Sequence, residues 1–304
     1  MTTPQKSLPL QGQVAVVTGG GKGLGRAFAL HLAERGAAVV VNNRNRTVDA
    51  DGRGPADHVV AEIEAAGGRA VANYGDVAVT ATATALVQDA LTHFGRLDVL
   101  VTSAAITGLE MFHKTTEASF RTVLDVNVVG TALVAAAASA VMREAGHGRV
   151  VMIASTAGLH GELAAAAYAA SKGAVIALAR TAAHEGASKG VLTNVLLPYA
   201  TTQMTEQGMD PQHADRMRSE LVAPVVGALA DPACTLNGQV VVAAGSGLRV
   251  ADAVEGGTVT FPPGPLSPAA LTDLLARSRA GEPHTYTHAR AAFQSLATDL
   301  KELS

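Results

Sequence analysis

Near its N-terminus the chain reads Val14-Ala15-Val16-Val17-Thr18-Gly19-Gly20-Gly21-Lys22-Gly23-Leu24-Gly25. The apolar, β-branched run that opens this stretch predicts a buried strand. A helical pattern follows from Arg26 and is stopped by Gly36. Strand, glycine turn and helix in this order are what a dinucleotide site requires, because glycines let the backbone approach a pyrophosphate and a helix N-terminus attracts its charge. A tight glycine turn without a ligand is the alternative.

Strand and helix patterns alternate along most of the chain. Continuous apolar strands that alternate with helices indicate a parallel sheet covered on both faces. The further strand patterns are Ala37–Asn43, Arg69–Asn73, Leu97–Thr102, Arg149–Ala154, Val191–Leu197 and Gln239–Ala243, with helices such as Val79–Phe94 and Phe120–Ala145 between them. We therefore predict an α/β fold with a doubly wound parallel sheet, in which residues 1–250 form a dinucleotide-binding catalytic domain.

Residues 251–304 are predicted to be a C-terminal extension of this single domain, packed on or near the substrate side. From Leu248 onwards we find no further strand–helix repeat, and we expect only two helices, Pro268–Ser278 and Ala289–Leu303. The segment is too short and too often interrupted by proline and glycine to predict a second domain.

Tyr168 and Lys172 stand one helical turn apart, and Ser155 lies upstream on a different element. Residues four apart project from the same face of a helix. A lysine cation about 4 Å from a phenol favours the phenolate by up to roughly 4 kcal/mol at an effective dielectric near 20, which brings the phenol towards general acid–base chemistry. A serine hydroxyl can then hold the reacting oxygen. The alternative is an ordinary amphipathic helix in which the tyrosine and the lysine coincide by chance. The glycine turn near the N-terminus favours the catalytic interpretation.

The composition of the 304-residue chain excludes several classes of function. A net charge of −3 leaves no basic excess for nucleic acid or an anionic membrane. A single cysteine, Cys234, forbids an internal disulfide, and ten histidines without a His-x-x-x-His or Cys/His cluster predict no metal site. We find no signal-peptide pattern, membrane-length apolar run or C-terminal peroxisomal signal, so we expect a cytoplasmic location.

The chain resembles the short-chain dehydrogenase/reductase family over roughly residues 8 to 250. The shared features are the spacing Thr18-Gly19-x-x-x-Gly23-x-Gly25 and the thirteen residues by which Ser155 precedes Tyr168. The resemblance implies a Rossmann-type fold and a nicotinamide cofactor, with Ser155, Tyr168 and Lys172 as catalytic residues. It also implies a fourth catalytic residue, Asn127, which supports a water that relays protons to the lysine.

The same resemblance implies which residues contact the cofactor. Asp76 falls where the family contacts the adenine, and Pro198 lies in the segment beside the nicotinamide. Because Tyr199 replaces the usual glycine, Thr201 and Thr202 are both candidates for the nicotinamide carboxamide. The predicted cofactor-binding set is Gly19, Lys22, Gly23, Leu24, Gly25, Asn43, Arg44, Asp76, Val77, Ser103, Ala104, Lys172, Pro198 and Thr201.

Two departures from the family pattern bear on the cofactor. The usual Asn-Asn-Ala-Gly appears as Thr102-Ser103-Ala104-Ala105, and we expect the hydroxyls to supply some of the lost hydrogen bonds without loss of cofactor binding. Asn43 stands where NAD-binding relatives carry an acidic residue. Arg44 follows it and Lys22 lies in the glycine turn, so we predict that NADP(H) is favoured over NAD(H).

A narrower resemblance, to the (3R)-hydroxyacyl-CoA dehydrogenase unit of peroxisomal multifunctional enzyme type 2, lies in Val40–Asn43, Gly67–Tyr74, Ala223–Val226 and Thr260–Leu271. It implies hydride transfer to or from a 3-oxo/3-hydroxyacyl thioester or a similarly sized oxo compound. A cofactor-binding sensor or scaffold without turnover, and an epimerase on the same site, are the alternatives. Relatives pair through long helices that match Phe120–Ala145 and Tyr168–Ala187, so we expect a homodimer or homotetramer.

Overall fold

The computed structural model describes residues 8–45, 47–201 and 215–303 and is built around one sheet. In chain order the strands are β1 Val14–Thr18, β2 Ala38–Asn42, β3 Arg69–Asn73, β4 Val99–Thr102, β5 Gly148–Ile153, β6 Val191–Tyr199, β7 Val240–Ala244 and β8 Gly247–Val250. They lie in the order β3-β2-β1-β4-β5-β6-β7-β8, and β1 to β7 are parallel. The predicted doubly wound α/β sheet is therefore confirmed.

One edge of the sheet differs from the prediction. No strand is expected from Leu248 onwards, yet β8 pairs antiparallel with β7, and Val242 lies opposite Arg249. The turn between the two strands contains Gly245 with a φ of 54°, which suits a tight hairpin. All four residues of β8 are exposed. The strand therefore lacks the buried face that would produce an apolar–polar alternation in the sequence.

Helices cover both faces of the sheet. Their bounds are α1 Gly23–Glu34, α2 Pro55–Ala65, α3 Thr80–Phe94, α4 Glu117–Leu124, α5 Thr131–Ala145, α6 Ala157–His160, α7 Ala166–Gly186, α8 Ala223–Ala230, α9 Pro268–Ala280 and α10 Ala289–Glu302. Helix α1 packs against α2 and α8, while α5 packs against α3 and α7. Every residue of β1, β2 and β4 is buried between these layers, which explains why the strands are continuous apolar runs.

The topology places a crevice at the carboxyl ends of β1 and β4. The chain runs from β1 outwards through β2 and β3 and then returns, so that β4 pairs with the other side of β1. In open α/β sheets, ligands bind where the strand order reverses in this way. The glycine turn that follows β1 lies at this point.

Helices α4 and α5 form one long helix interrupted by a π-helical segment, Asp125–Gly130. The sequence predicts an unbroken helix over Phe120–Ala145 and gives no sign of the wider turn. Among the described residues, the combined helix Glu117–Ala145 is the one long and apolar enough to cross a membrane by length and composition. A partly buried core helix meets the same criterion, and here α5 packs against α3 and α7.

The chain divides into two units, Met1–Val250 and Ala251–Ser304. Within the second unit, Ser267 caps α9 by accepting a hydrogen bond from the Ala270 N–H, and Glu255 pairs with His284 through two backbone hydrogen bonds. No residue of α9 or α10 is buried within the described chain. The packing of this unit near the substrate side stays a prediction.

Candidate active site

The turn between β1 and α1 has the geometry of a phosphate cradle. Gly19 and Gly23 have φ values of 68° and 53°, which favour glycine. A Cβ on Gly19 would lie 2.8 Å from the Ala104 Cα, and a Cβ on Gly25 would overlap the Gly19 carbonyl oxygen. Lys22 stands at the N-cap position without a side-chain hydrogen bond to the helix. The first N–H groups of α1 therefore have no side-chain cap, and the turn fits a bound pyrophosphate.

The end of β4 is tied to this turn by Thr18. The Thr18 Oγ1 accepts hydrogen bonds from the Ser103 N–H at 3.1 Å and the Ala104 N–H at 3.2 Å. The hydroxyl of Thr102, by contrast, is buried and has no hydrogen-bond partner among the described residues. Thr102 therefore does not replace the amide hydrogen bonds that we expected its hydroxyl to supply. The hydrogen bonds that connect β1 and the end of β4 come instead from Thr18 in β1.

One cavity of about 550 Å³ runs from the glycine turn past the ends of β4, β5 and β6. It brings together most of the predicted site residues, namely Gly19, Lys22, Gly23, Leu24, Gly25, Asn43, Arg44, Val77, Ser103, Ala104, Ser155, Tyr168, Lys172 and Pro198. Asp76, Asn127 and Thr201 do not line it. Thr156, Glu162 and Tyr199 also line the cavity. The sequence placed Glu162 in a segment that the family uses to shape the pocket, with a solvated loop as the alternative, and gave Thr156 and Tyr199 no role in the site.

The three predicted catalytic side chains share one wall of this cavity. Ser155 follows β5, and its Oγ accepts a hydrogen bond from the Ala157 N–H at the start of α6. Tyr168 lies in the first turn of α7. Burial raises the pKa of the Tyr168 phenol above its ordinary value, while a hydrogen bond with Ser155 acts in the opposite direction. The phenol is therefore a protonated acid at neutral pH, held beside the serine hydroxyl.

Lys172 is buried beneath the tyrosine and does not lower its pKa as expected. Its Nζ lies 5.5 Å from the centroid of the Tyr168 ring and donates a hydrogen bond to the Ile153 carbonyl oxygen at 3.0 Å. The residue is 4% exposed, and burial lowers the pKa of its ammonium to about 8. The ammonium thus lies near the Tyr168 ring and is hydrogen-bonded to the β5 backbone.

Asn127 lies in the π-helical segment, and its side chain is fully engaged. The Oδ1 accepts from the Ile106 N–H, while the Nδ2 donates to the Ile106 carbonyl oxygen and to the Ser171 Oγ, each at 2.9 Å. Isolated π turns occur frequently at functional sites. Asn127 is 1% exposed. Its amide connects the loop after β4 to α7 at Ser171, the residue that precedes Lys172.

At the far end of the cavity, two cationic side chains approach the expected ribose position. Lys22 and Arg44 both line the cavity. The Arg44 Nη1 forms an ion pair with the Asp76 Oδ2 at 2.9 Å. Burial raises the pKa of Asp76, but the Ala78 N–H and the Arg44 guanidinium together hold that pKa below its ordinary value. Asp76 is thus an ionised partner of Arg44, which the sequence did not predict.

The last residue of β6, Tyr199, carries a phenol in place of the usual glycine. The Thr156 Oγ1 donates a hydrogen bond of 2.8 Å to the Tyr199 Oη. The Thr201 N–H donates to the Met217 carbonyl oxygen at 2.6 Å. Thr202, its alternative as the carboxamide ligand, and Arg46, which the sequence offers as a third candidate to contact a 2′-phosphate, lie outside the described residues.

The charges in the cavity differ between its two ends. Lys22 and Arg44 lie with the glycine turn, whereas Glu162 lines the end that holds Tyr168 and Ser155. No group of three or more His, Cys, Asp or Glu side chains within residues 8–45, 47–201 and 215–303 is arranged to hold a metal ion. The arrangement can bind an extended ligand with anionic phosphates at one end and present a protonated phenol to a polar group at the other.

Residues 13–213 match the family model described as short chain dehydrogenase. The chain is 40% identical over 240 residues to the peroxisomal multifunctional enzyme type 2 of Drosophila melanogaster, covering 78% of this chain and 40% of that protein. The structure of that full-length protein superposes with a TM-score of 0.80 at 32% identity, over 97% of this chain and 50% of the other. The chain therefore spans half or less of this relative.

Two other relatives are closer to this chain in length. The 3-oxoacyl-[acyl-carrier-protein] reductase of Synechocystis is 40% identical over 198 residues, which cover 65% of this chain and 78% of the reductase. The crystal structure of a short chain dehydrogenase from Mycobacterium avium superposes with a TM-score of 0.78 at 34% identity, over 91% of this chain and 98% of the other.

Proposed function

The chain belongs to the short-chain dehydrogenase/reductase family, and we propose that it interconverts 3-oxoacyl and 3-hydroxyacyl thioesters, or similarly sized oxo compounds, with NADP(H). As a member of the family it is a nicotinamide-dependent oxidoreductase that acts on CH–OH groups. It resembles the dehydrogenase unit of peroxisomal multifunctional enzyme type 2. The substrate, the cofactor preference and the residue roles below are the proposal.

One observation carries the proposed chemistry. Ser155, Tyr168 and Lys172 line the same cavity as the glycine turn. A bound nicotinamide supplies or accepts the hydride in this chemistry. A cofactor whose phosphates lie at the α1 N-terminus can extend along the cavity towards Tyr168. The reacting carbon of the substrate then lies between the nicotinamide and the tyrosine.

Tyr168 is the proposed general acid when a carbonyl is reduced. Its raised pKa keeps the phenol protonated at neutral pH, ready to donate to the developing alkoxide. Ser155 holds the same oxygen through its hydroxyl. In the oxidative direction Tyr168 must first lose its proton to the relay, and the phenolate then takes the proton of the alcohol while Ser155 still holds the oxygen.

Lys172 is proposed to exchange protons with this site and to bind the cofactor ribose. A lysine whose pKa is about 8 changes its protonation state near neutral pH, which an ordinary lysine does not. Asn127 completes the proposed relay. Because its side-chain hydrogen bonds are engaged with Ile106 and Ser171, its main-chain carbonyl is the group proposed to hold a relay water.

The preference for NADP(H) is supported by the charges at the ribose end of the cavity. Asn43 is uncharged and cannot repel a 2′-phosphate, and Lys22 and Arg44 line the cavity near it. A guanidinium carries five N–H donors, of which the ion pair with Asp76 uses one. A phosphate that gains two charge-assisted hydrogen bonds gains about 3–6 kcal/mol, more than one neutral bond from Asn43 to a hydroxyl.

The experiment is a panel of carbonyl compounds with the purified chain, monitored by NADPH absorbance. It contains 3-oxoacyl thioesters of several chain lengths, simple ketones, sugars and steroid ketones. The proposal requires that a 3-oxoacyl thioester has the highest kcat/KM. Binding of NADPH without turnover of any carbonyl compound would instead support a sensor or scaffold.

A further inference from the structure

Tyr199 places a second phenol in the cavity that Tyr168 lines. It is the last residue of β6 and lies beside Ala244 in the sheet. Its side chain lines the cavity and is 48% exposed. The Thr156 hydroxyl donates to its oxygen at 2.8 Å, which fixes where that oxygen lies. The roles proposed for Ser155, Tyr168 and Lys172 do not involve this phenol.

Either hydroxyl of this pair can donate, and when Thr156 donates, the proton of the phenol is available to a ligand. A tyrosine hydroxyl accepts and donates at once, and the acceptor position of Tyr199 is used by Thr156. Thr156 directly follows Ser155, the residue proposed to hold the reacting oxygen. Both Ser155 and Tyr199 line the same cavity, so its wall carries a hydroxyl donor in addition to the groups proposed to hold the reacting oxygen.

We propose that Tyr199, positioned by Thr156, donates a hydrogen bond to a second carbonyl of the substrate, next to the one that Ser155 and Tyr168 hold. This second carbonyl belongs to an uncharged thioester or ester and not to a carboxylate. This deepens the proposed function and rests on it. It makes Tyr199 a specificity-determining residue for 1,3-dicarbonyl compounds over simple ketones of the same length.

The second carbonyl is assigned as uncharged because of Glu162. This side chain lines the same cavity and is exposed, and its Oε1 accepts a hydrogen bond from the Leu163 N–H at 2.9 Å. A carboxylate here repels the carboxylate of a free 3-oxo acid but not a thioester or ester carbonyl. The cations that would offset this repulsion, Lys22 and Arg44, lie at the opposite end of the cavity.

The test compares S-(3-oxooctanoyl)-N-acetylcysteamine with 3-octanone, which keeps the same pentyl chain and ketone but lacks the thioester carbonyl. The variant Tyr199→Phe removes only the hydroxyl. It should lower kcat/KM for the thioester about 3- to 10-fold, mainly through KM, and leave that for 3-octanone unchanged. Thr156→Val should lower the thioester value in the same direction, and Thr156→Ser should restore it. Thr107→Val, which removes another hydroxyl from the cavity wall, is the matched control and should preserve the ratio between the two substrates.

An equal loss on both substrates, or no loss on either, would overturn the role of Tyr199. The affinity of each variant for NADPH, followed by fluorescence, must stay at the wild-type value, which shows that the fold is intact. If the wild type reduces neither the thioester nor other carbonyl compounds, the proposed function fails instead, and the two failures are distinguishable.

A second arm tests the assignment of the carbonyl as uncharged. Glu162→Gln removes the charge and keeps the side-chain size. It should raise kcat/KM for freshly prepared 3-oxooctanoate at least 3-fold while that for the thioester changes little, because only the free acid is repelled. A wild type that prefers the free acid, or a variant without selective gain, would overturn this assignment.

Discussion

Replacing Lys172 by methionine is expected to make the protein more stable at neutral pH while abolishing its activity. Lys172 is 4% exposed, and burial lowers the pKa of its ammonium from 10.5 to about 8. A shift of this size means that keeping the lysine charged in the fold costs about 3 kcal/mol. Methionine fills a similar volume without a charge but loses the hydrogen bond to Ile153, which is worth about 1–2 kcal/mol. The net gain in the free energy of unfolding at pH 7 is therefore about 1–2 kcal/mol.

The stability difference between the two proteins depends on pH through the titration of Lys172. Between pH 8 and 10.5 the unfolded chain binds more protons at Lys172 than the folded chain, so the stability of the wild type rises with pH in this window. The full cost of the charge is present below pH 8 and has gone above about 10.5. The advantage of Lys172→Met should thus shrink from pH 7 to pH 10.

Urea unfolding of both proteins at pH 7 and pH 10 measures the difference directly. The exposed Lys189→Met is the matched control and should change the free energy of unfolding by less than about 0.5 kcal/mol at either pH. A Lys172→Met variant that is less stable than the wild type at pH 7, or a difference that does not depend on pH, would refute the reasoning.

The remaining predictions concern pH, cofactor and assembly. Because burial holds the pKa of Lys172 near 8, kcat for alcohol oxidation should rise as the pH increases through about 8 and kcat for ketone reduction should fall; flat profiles between pH 6 and 9 would contradict this role. The kcat/KM with NADPH should exceed that with NADH, and Asn43→Asp combined with Arg44→Leu should reverse the preference; a wild type that prefers NADH, or an unchanged ratio, counts against the phosphate contacts. Light scattering at micromolar concentration should give a dimer or tetramer of the 30.8 kDa chain, and a monomeric mass would show that α5 and α7 do not mediate assembly.

The parts of the structure that follow local rules were predictable from the sequence. The turn from Gly19 to Gly25 requires glycines for its backbone conformation and close contacts, so strand, turn and helix appear directly in the sequence. The four-residue spacing of Tyr168 and Lys172 likewise fixes a common helix face. With the alternation of strand and helix patterns and the family resemblance, these two patterns predicted the fold class, and 14 of the predicted site residues line the cavity.

Features that depend on distant packing were not predictable in the same way. The ion pair of Arg44 with Asp76 forms because β2 and β3 are neighbours, which brings the ends of both strands together. The direction of the pKa shift of Tyr168 depends on how deeply the phenol is buried and on where the lysine Nζ points. The hydrogen bond between Thr156 and Tyr199 joins the end of β5 to the end of β6, and neither residue belongs to a motif.

Transfer of deuterium from NADPH that carries deuterium at both C4 positions to a 3-oxoacyl thioester tests the central claim most directly, because it follows the hydride itself whichever C4 hydrogen is transferred. With the wild-type chain, mass spectrometry should find one deuterium on C3 of the 3-hydroxyacyl product. Tyr168→Phe should bind NADPH with unchanged affinity but form the labelled product about 10²–10⁴-fold more slowly. A Tyr168→Phe variant that transfers deuterium within a few-fold of the wild-type rate, or a wild type that binds the cofactor and transfers none, would contradict the assignment of this site.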